Sequence, residues 1–340
     1  MATPVTSAGV GDTPVAEIPD ALPAGDGPDR PRRSRGVLLR AIRTNRKAMV
    51  GAIMLGVFII LAIVPQWLFP GDPAAEVYAR SAGPSGSHLL GTTAYGQDIL
   101  AEVVWGTRPV LLIAVVAGLF ATVLSVLIGV SAAYLGGVAD DILNLFTDVF
   151  LVIPTLPVVI VIAAYANQHS LTVLIIVLVV TGWSYGARQL RSQALSLRNR
   201  DFLQAAKVRG ERRSYIIIFE LLPTMTSLIV ANFLGSALYS VLAASGLQFI
   251  GLGNTNSDSW GTMLYWANNQ EALQAGNALW IIAPGLAIAV LSAAFALMNY
   301  AFDEIGNPAL RPVRRKDLRK ARKAARVDEK GADNVYANAS

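Results

Sequence analysis

Six long apolar stretches, at about 48–69, 108–135, 141–166, 170–187, 223–245 and 278–301, govern what this chain can fold into. A bilayer core takes about 20 helical residues to cross, and backbone groups in hydrocarbon must bond within their own segment. Runs of this length therefore read as membrane-spanning helices rather than barrel strands. The expectation is an all-α membrane protein with six transmembrane helices, the second long enough to tilt and the fourth the shortest. Composition agrees: 54% of the 340 residues are hydrophobic and 15% are charged, against roughly a quarter charged in a soluble domain.

The charges fix an expected orientation. Three blocks of eight, eight and ten hold 26 of the 28 Lys and Arg residues: 30–47, 188–213 and the chain beyond the last apolar stretch. Positive loops stay on the cytoplasmic side, so both termini and the loop 188–222 are expected inside, while 70–107 and 246–277 are outside. The link at Gly136, Gly137, Asp140 and Asp141 must be inside by parity. A net charge of +5 gathered in membrane-flanking blocks argues for lipid headgroups rather than nucleic acid as the partner. Residues 1–36, rich in Pro, Gly, Ala and Asp, read as a disordered cytoplasmic arm. They do not read as a cleavable signal, because the first apolar run begins near Met49. Residues 37–310 form the membrane domain, and 311–340 a basic cytoplasmic tail.

Several chemistries lose their footing at once. The absence of cysteine removes disulfides and thiolate ligands, and His88 and His169 are too few and too far apart for a metal site. There is no phosphate-binding Gly-x-x-x-x-Gly-Lys-Ser/Thr pattern, no Ser/His/Asp set and no His-Glu-x-x-His helix, so neither a nucleotide site nor an enzyme centre is expected. Asp148 stands out as an acid at membrane depth, with either a functional role or a bond to a neighbouring helix. Pro154 and Pro157 should kink the third span. Between Gln97 and Trp105 the apolar residues share one helical face, consistent with either a short helix on the outer interface or a plain lead-in to span two. Trp67, Phe69 and Trp105 would anchor that level. The loop 246–277, with Gly251, Gly253, Trp260 and Gly261, reads as a folded outer docking surface or gate.

The inner loop 188–222 is far longer than reversing the chain requires. Asp201-x-x-Gln204 has the capping-box spacing, so a helix should begin at Phe202. Gly210 permits a break, and a second helix from about Ser214 should run through Leu222 into Pro223. Small Ala205 and Ala206 would let another protein approach closely, with Arg209, Arg212 and Arg213 free to pair with acids there or with headgroups.

At these residues the sequence resembles a family. Gln204-Ala205-Ala206-Lys207-Val208-Arg209-Gly210, then Ile216-Ile217-Ile218 and Leu221-Leu222-Pro223, is similar to the Glu-Ala-Ala loop of bacterial ABC importer permeases. Leu90-Gly91-Thr92-Thr93 with Gly96-Gln97-Asp98-Ile99-Leu100, and Phe249-Ile250-Gly251-Leu252-Gly253 with Ser259-Trp260-Gly261, narrow the resemblance to the C-type subunit of the dipeptide/oligopeptide branch. The resemblance runs from about 37 to 311. It implies a type I importer permease fold in the cytoplasmic membrane, with no cofactor in this chain. The implied partners are a second homologous permease, two subunits that bind ATP and Mg, and an external solute-binding protein, with peptide as cargo. Asp201, Gln204, Ala205, Ala206, Gly210, Leu222 and Pro223 would couple the membrane helices to an ATPase subunit. The chain departs from the pattern in five places: Gln204 replaces Glu or Arg, Arg209 an apolar residue, Glu220 a His and Ala244 an acid, and the end of the last span, Asn299 to Asn307, matches only loosely. These departures leave cargo open. A metal-chelate importer of the same branch, or a channel or secondary transporter working without an ATPase, are the alternatives.

Overall fold

The computed structural model describes residues 45–165 and 170–306. The arm 1–36, His169 and the tail 311–340 lie outside the described residues. Among those described there is no β-strand. The helices are α1 (Arg46–Ile63), α2 (Pro65–Leu68), α3 (Ile99–Leu135), α4 (Gly137–Val152), α5 (Thr155–Tyr165) and α6 (Leu171–Leu197). They continue with α7 (Asp201–Val208), α8 (213–224), α9 (Thr226–Phe249), α10 (Trp260–Asn269) and α11 (Leu279–Gly306). Five of them, α1, α3, α6, α9 and α11, are long and apolar enough to cross a membrane.

The third predicted span is divided. α4 and α5 cover 16 and 11 residues and part at Ile153–Pro154, where Ile153 has extended backbone (φ −63°, ψ 125°). Proline excludes the helical conformation from the residue before it, and its own nitrogen has no proton to donate. Both pieces pack on α6.

The lead-in to the second span is not a separate interfacial helix. Asp98 caps α3, its Oδ1 accepting from the amides of Leu100 at 2.8 Å and Ala101 at 3.1 Å, and the helix then runs through Pro109 without a break. Ile99 and Val104 are buried against other helices, so their apolar face is used inside the protein rather than on lipid. Likewise α6 continues ten residues past the predicted end at 187. Its polar extension is held by charge: Arg191 bonds both oxygens of Asp140, at 2.7 and 2.9 Å, and Arg188 pairs with Asp148. The membrane-depth acid therefore has its partner on a neighbouring helix.

α9 is central, flanked by α3 and α11; α1 lies on α11, and α6 on α3. Small residues permit these approaches. A Cβ on Gly118 would sit 3.0 Å from the Ala237 amide nitrogen of α9, and one on Gly129 would overlap the Ala187 carbonyl of α6. Close by, the Ser125 hydroxyl donates across to the Trp183 carbonyl at 2.6 Å.

Two ends result. At one, the C-termini of α3 and α6 meet α7, α8 and the start of α9. α11 runs antiparallel to α9, with Asn299 Nδ2 donating to the Ala231 carbonyl at 2.8 Å. Asn45 Nδ2 at the head of α1 donates to Glu304 Oε2 at the foot of α11, 3.0 Å away. At the other end the loops 69–98 and 250–278 meet, tied by Trp105 Nε1 to the Phe69 carbonyl and Asn277 Nδ2 to the Thr92 carbonyl. Replacing Gly129 by Leu should wedge α3 from α6 and cost about 1–3 kcal/mol. A thermal midpoint in detergent checks this; an unchanged midpoint would mean the helices separate freely there.

Candidate functional site

The elbow begins one residue earlier than its sequence signal implied, and without the expected cap. Arg200 is the N-cap and has no side-chain bond to the helix, so the Asp201–Gln204 capping box is not made. Asp201 is instead the first helical residue, where its carboxylate faces the positive end of the helix dipole. The close is well formed. Gly210 takes φ +78°, its amide bonds the Lys207 carbonyl at 3.0 Å, and the Glu211 amide reaches the Ala206 carbonyl at 3.3 Å. These are the two bonds of a Schellman ending, which needs a left-handed residue where Gly210 stands.

α7 has one narrow inward face. Leu203 and Ala206, three apart, are both 0% exposed and sit among Val130, Ala133 and Tyr134 of α3, Leu190 and Ala194 of α6, and Ile216, Leu221 and Met225. Ala206 is thus small because its own bundle presses on it, a correction to the expectation that it admits another protein. The outward face is Phe202, Gln204, Ala205, Lys207 and Val208, with Val208 89% exposed. Leu222 packs partly on the same cluster, and Pro223 is exposed in the last turn of α8.

Two of the departures noted in the sequence meet here. Arg209 Nη2 lies 3.5 Å from Glu220 Oε1 and its Nε 3.8 Å from Glu211 Oε1, so this arginine is engaged by acids of its own chain. The pair is half exposed, and such pairs contribute about 0–1 kcal/mol. It links the end of α7 to α8. Lys207 Nζ stands 5.8 Å from the centre of the Tyr134 ring, a second tie to α3.

Above the elbow, a polar cavity of about 370 Å³ opens on α6 and α9, lined by Thr181, Tyr185, Gln189, Asn232, Tyr239 and Asp303 among others. A second, of about 460 Å³, continues toward the elbow and shares Tyr185, Gln189 and Asp303. Asn232 Oδ1 is buried with no bond from the protein. The sequence reading did not single out these residues. A signal was present: Thr181, Tyr185 and Gln189 recur every four residues, which on a helix makes one polar stripe.

Comparison with known proteins fits this geometry to a family. A family model described as "Binding-protein-dependent transport system inner membrane component" matches residues 125–311, the stretch that holds the elbow and both cavities. The chain belongs to this family of inner-membrane transport components. A second model, the "N-terminal TM domain of oligopeptide transport permease C", matches residues 36–84. The oligopeptide transport system permease protein OppC of Mycobacterium tuberculosis (strain ATCC 25618 / H37Rv) is 30% identical over 233 residues, 68% of this chain and 80% of the relative. The dipeptide transport system permease protein DppC of Bacillus subtilis (strain 168) is 29% identical over 275 residues, 80% of this chain and 85% of the relative. The family is one of transport permeases, and the chain is a multi-pass inner-membrane member of it.

In this permease chain the glycine- and tryptophan-bearing loop block 251–261 packs largely inward. Trp260 is 0% exposed; its Nε1 donates to the Val103 carbonyl at 2.8 Å, and its ring meets Phe58 edge-on and fills the space over Gly106. A side chain on Gly261 would come within 2.6 Å of Gln248 Cβ and 2.8 Å of the Ser245 carbonyl oxygen. Gly253 is similarly pressed by Gln248, and Gly251 turns the chain at φ +81°. These four residues seat the loop on α3 and α9, while Asn254, Asn256 and Asp258 form its exposed surface. For the elbow, Ala206→Leu should lower the thermal midpoint by overfilling the cluster, at about 1–3 kcal/mol, while Ala205→Leu should leave it unchanged. Equal effects would mean α7 is not held by the face described.

Proposed function

We propose that this chain is one of two membrane-spanning permease subunits of an ATP-driven importer of di- or oligopeptides. In this reading α4 and α5 together make a sixth span and both termini face the cytoplasm. The bond from Asn45 to Glu304, which puts the head of α1 beside the foot of α11 at the elbow end, supports a common side for the termini. Two partner subunits bind ATP and Mg and close as they hydrolyse it, a second homologous permease completes the pore, and a solute-binding protein delivers cargo at the loop end. The names of the relatives support peptide as cargo.

One observation carries the coupling mechanism: α7 is pinned through Leu203 and Ala206 to the ends of α3 and α6 while Phe202, Gln204, Ala205 and Val208 stay outward at the same end. An ATPase subunit that grips the outward face moves a packed body, because close-packed side chains transmit displacement rather than absorb it. The ends of α3, α6 and α8 follow, and the polar stripe of α6 alternates between openings. Co-expression with the neighbouring transport genes, followed by mass spectrometry of the purified complex, is the test. A second permease and ATP-binding subunits should co-purify. Ala205→Trp should lose the ATP-binding subunits, and ATP-dependent peptide uptake with them, while keeping the second permease and the thermal midpoint. Purification of the chain alone, with solute flux in liposomes that contain no ATPase, would overturn the reading.

A further inference from the structure

Between the two outer loops lies a cavity of about 330 Å³ that the coupling mechanism does not use. Its rim is exposed and acidic, with Glu76 from one loop and Asn256 and Asp258 from the other. Its floor is buried: Thr262, Met263 and the Trp280 indole, which is 1% exposed. Tyr95 forms part of the wall, edge-on to both Trp266 and Trp280 at 5.8 and 6.1 Å between ring centres.

Two polar atoms among the lining residues have no partner in the protein. Glu102 Oε2 is buried and accepts no hydrogen bond, and Trp280 Nε1 is buried and donates none. Leaving either unmet costs about 1–3 kcal/mol, more for a charged group. They have opposite needs, one a donor and the other an acceptor. Among the described residues no Lys, Arg or His lines the cavity; Arg80 pairs only loosely, at 3.9 Å, with Glu76 of the rim. Partial burial, and after it the neighbouring Asp72 carboxylate, push the Asp258 carboxyl above the ordinary aspartate range.

We propose that this cavity binds a primary ammonium group with an adjacent carbonyl, the chemistry of a peptide's N-terminal residue. Glu102 accepts from the ammonium, and the Trp280 indole N–H donates to the carbonyl. Tyr95 and Trp266 wall the site, and Glu76 and Asp258 draw the cation in. The volume lies at the small end of the range for ligand pockets, which suits one or two residues of a chain. Only the choice of peptide over other amines rests on the importer reading.

The test is titration of the purified complex in detergent with tri-alanine and with N-acetyl-tri-alanine, read by tryptophan fluorescence, since Trp266 and Trp280 line the cavity. Free tri-alanine should give a saturable change at least tenfold tighter than the acetylated form. Glu102→Gln should weaken it tenfold or more, and Trp280→Phe, which keeps a ring on the floor but removes the N–H, several-fold. Asp258→Asn, on the exposed rim, should weaken it two- to threefold without disturbing the fold. The proposal is overturned by equal responses to the two peptides, by no response, or by full-strength binding in Glu102→Gln with an unchanged thermal midpoint. ATP-dependent uptake is measured in parallel. Uptake without a fluorescence response sinks the site alone, whereas a response without ATP-dependent uptake sinks the importer reading alone.

Discussion

The approach of α3 to α6 and α9 at near-backbone distance is the contact on which the other features depend. Gly118 and Gly129 bring peptide groups of neighbouring helices into touch where any side chain would intrude. In a bilayer no difference in hydrophobicity drives helices together, so association comes from close van der Waals contact and hydrogen bonds between helices. With α3 fixed, its C-terminal turn offers Val130, Ala133 and Tyr134 as the floor on which the elbow rests. At its other end, Gly106 makes the recess that Trp260 fills. One helix thus touches both the loop end and the elbow.

The elbow itself is stiff for so short a piece of chain. Eight residues would not hold a helix alone. Two buried side chains, a left-handed glycine close and the Arg209 pairs with Glu211 and Glu220 supply what local propensity cannot. Arg209 and Glu220 are individually unusual against the permease pattern, and together they are intelligible: each supplies the other's counter-charge. Substitutions that look like loss of a motif can be an exchange of one contact for another.

Much was legible in the sequence because it depends on local chemistry. The apolar stretches of spans one, two, four, five and six all appear as long helices, the third span breaks at Pro154, one of the two prolines expected to bend it, and the helix–turn–helix of the elbow follows from Gly210 and the periodicity around it. Boundaries set by tertiary contact were not legible. α3 begins at Ile99 because its first turns are buried by other helices, and α6 continues to Leu197 because α4 offers Asp140 and Asp148 to its arginines. A hydropathy run sees neither a burying neighbour nor an ion-pair partner.

Segment length and apolarity, which are properties of single stretches of sequence, already make this a helical, multi-pass permease chain with a helix–turn–helix elbow between two of its long helices. Which way each candidate side chain faces is set by tertiary packing. Ala205 and Ala206 are adjacent and chemically identical, yet one is on the surface and the other carries the joint, because a helix turns about 100° per residue and only a neighbour defines which side is inside. The same holds for Trp260, which reads as a surface aromatic and is a core wedge. It holds also for Glu102 and Trp280, 178 positions apart in the chain, which three separate helices and two loops bring to one cavity.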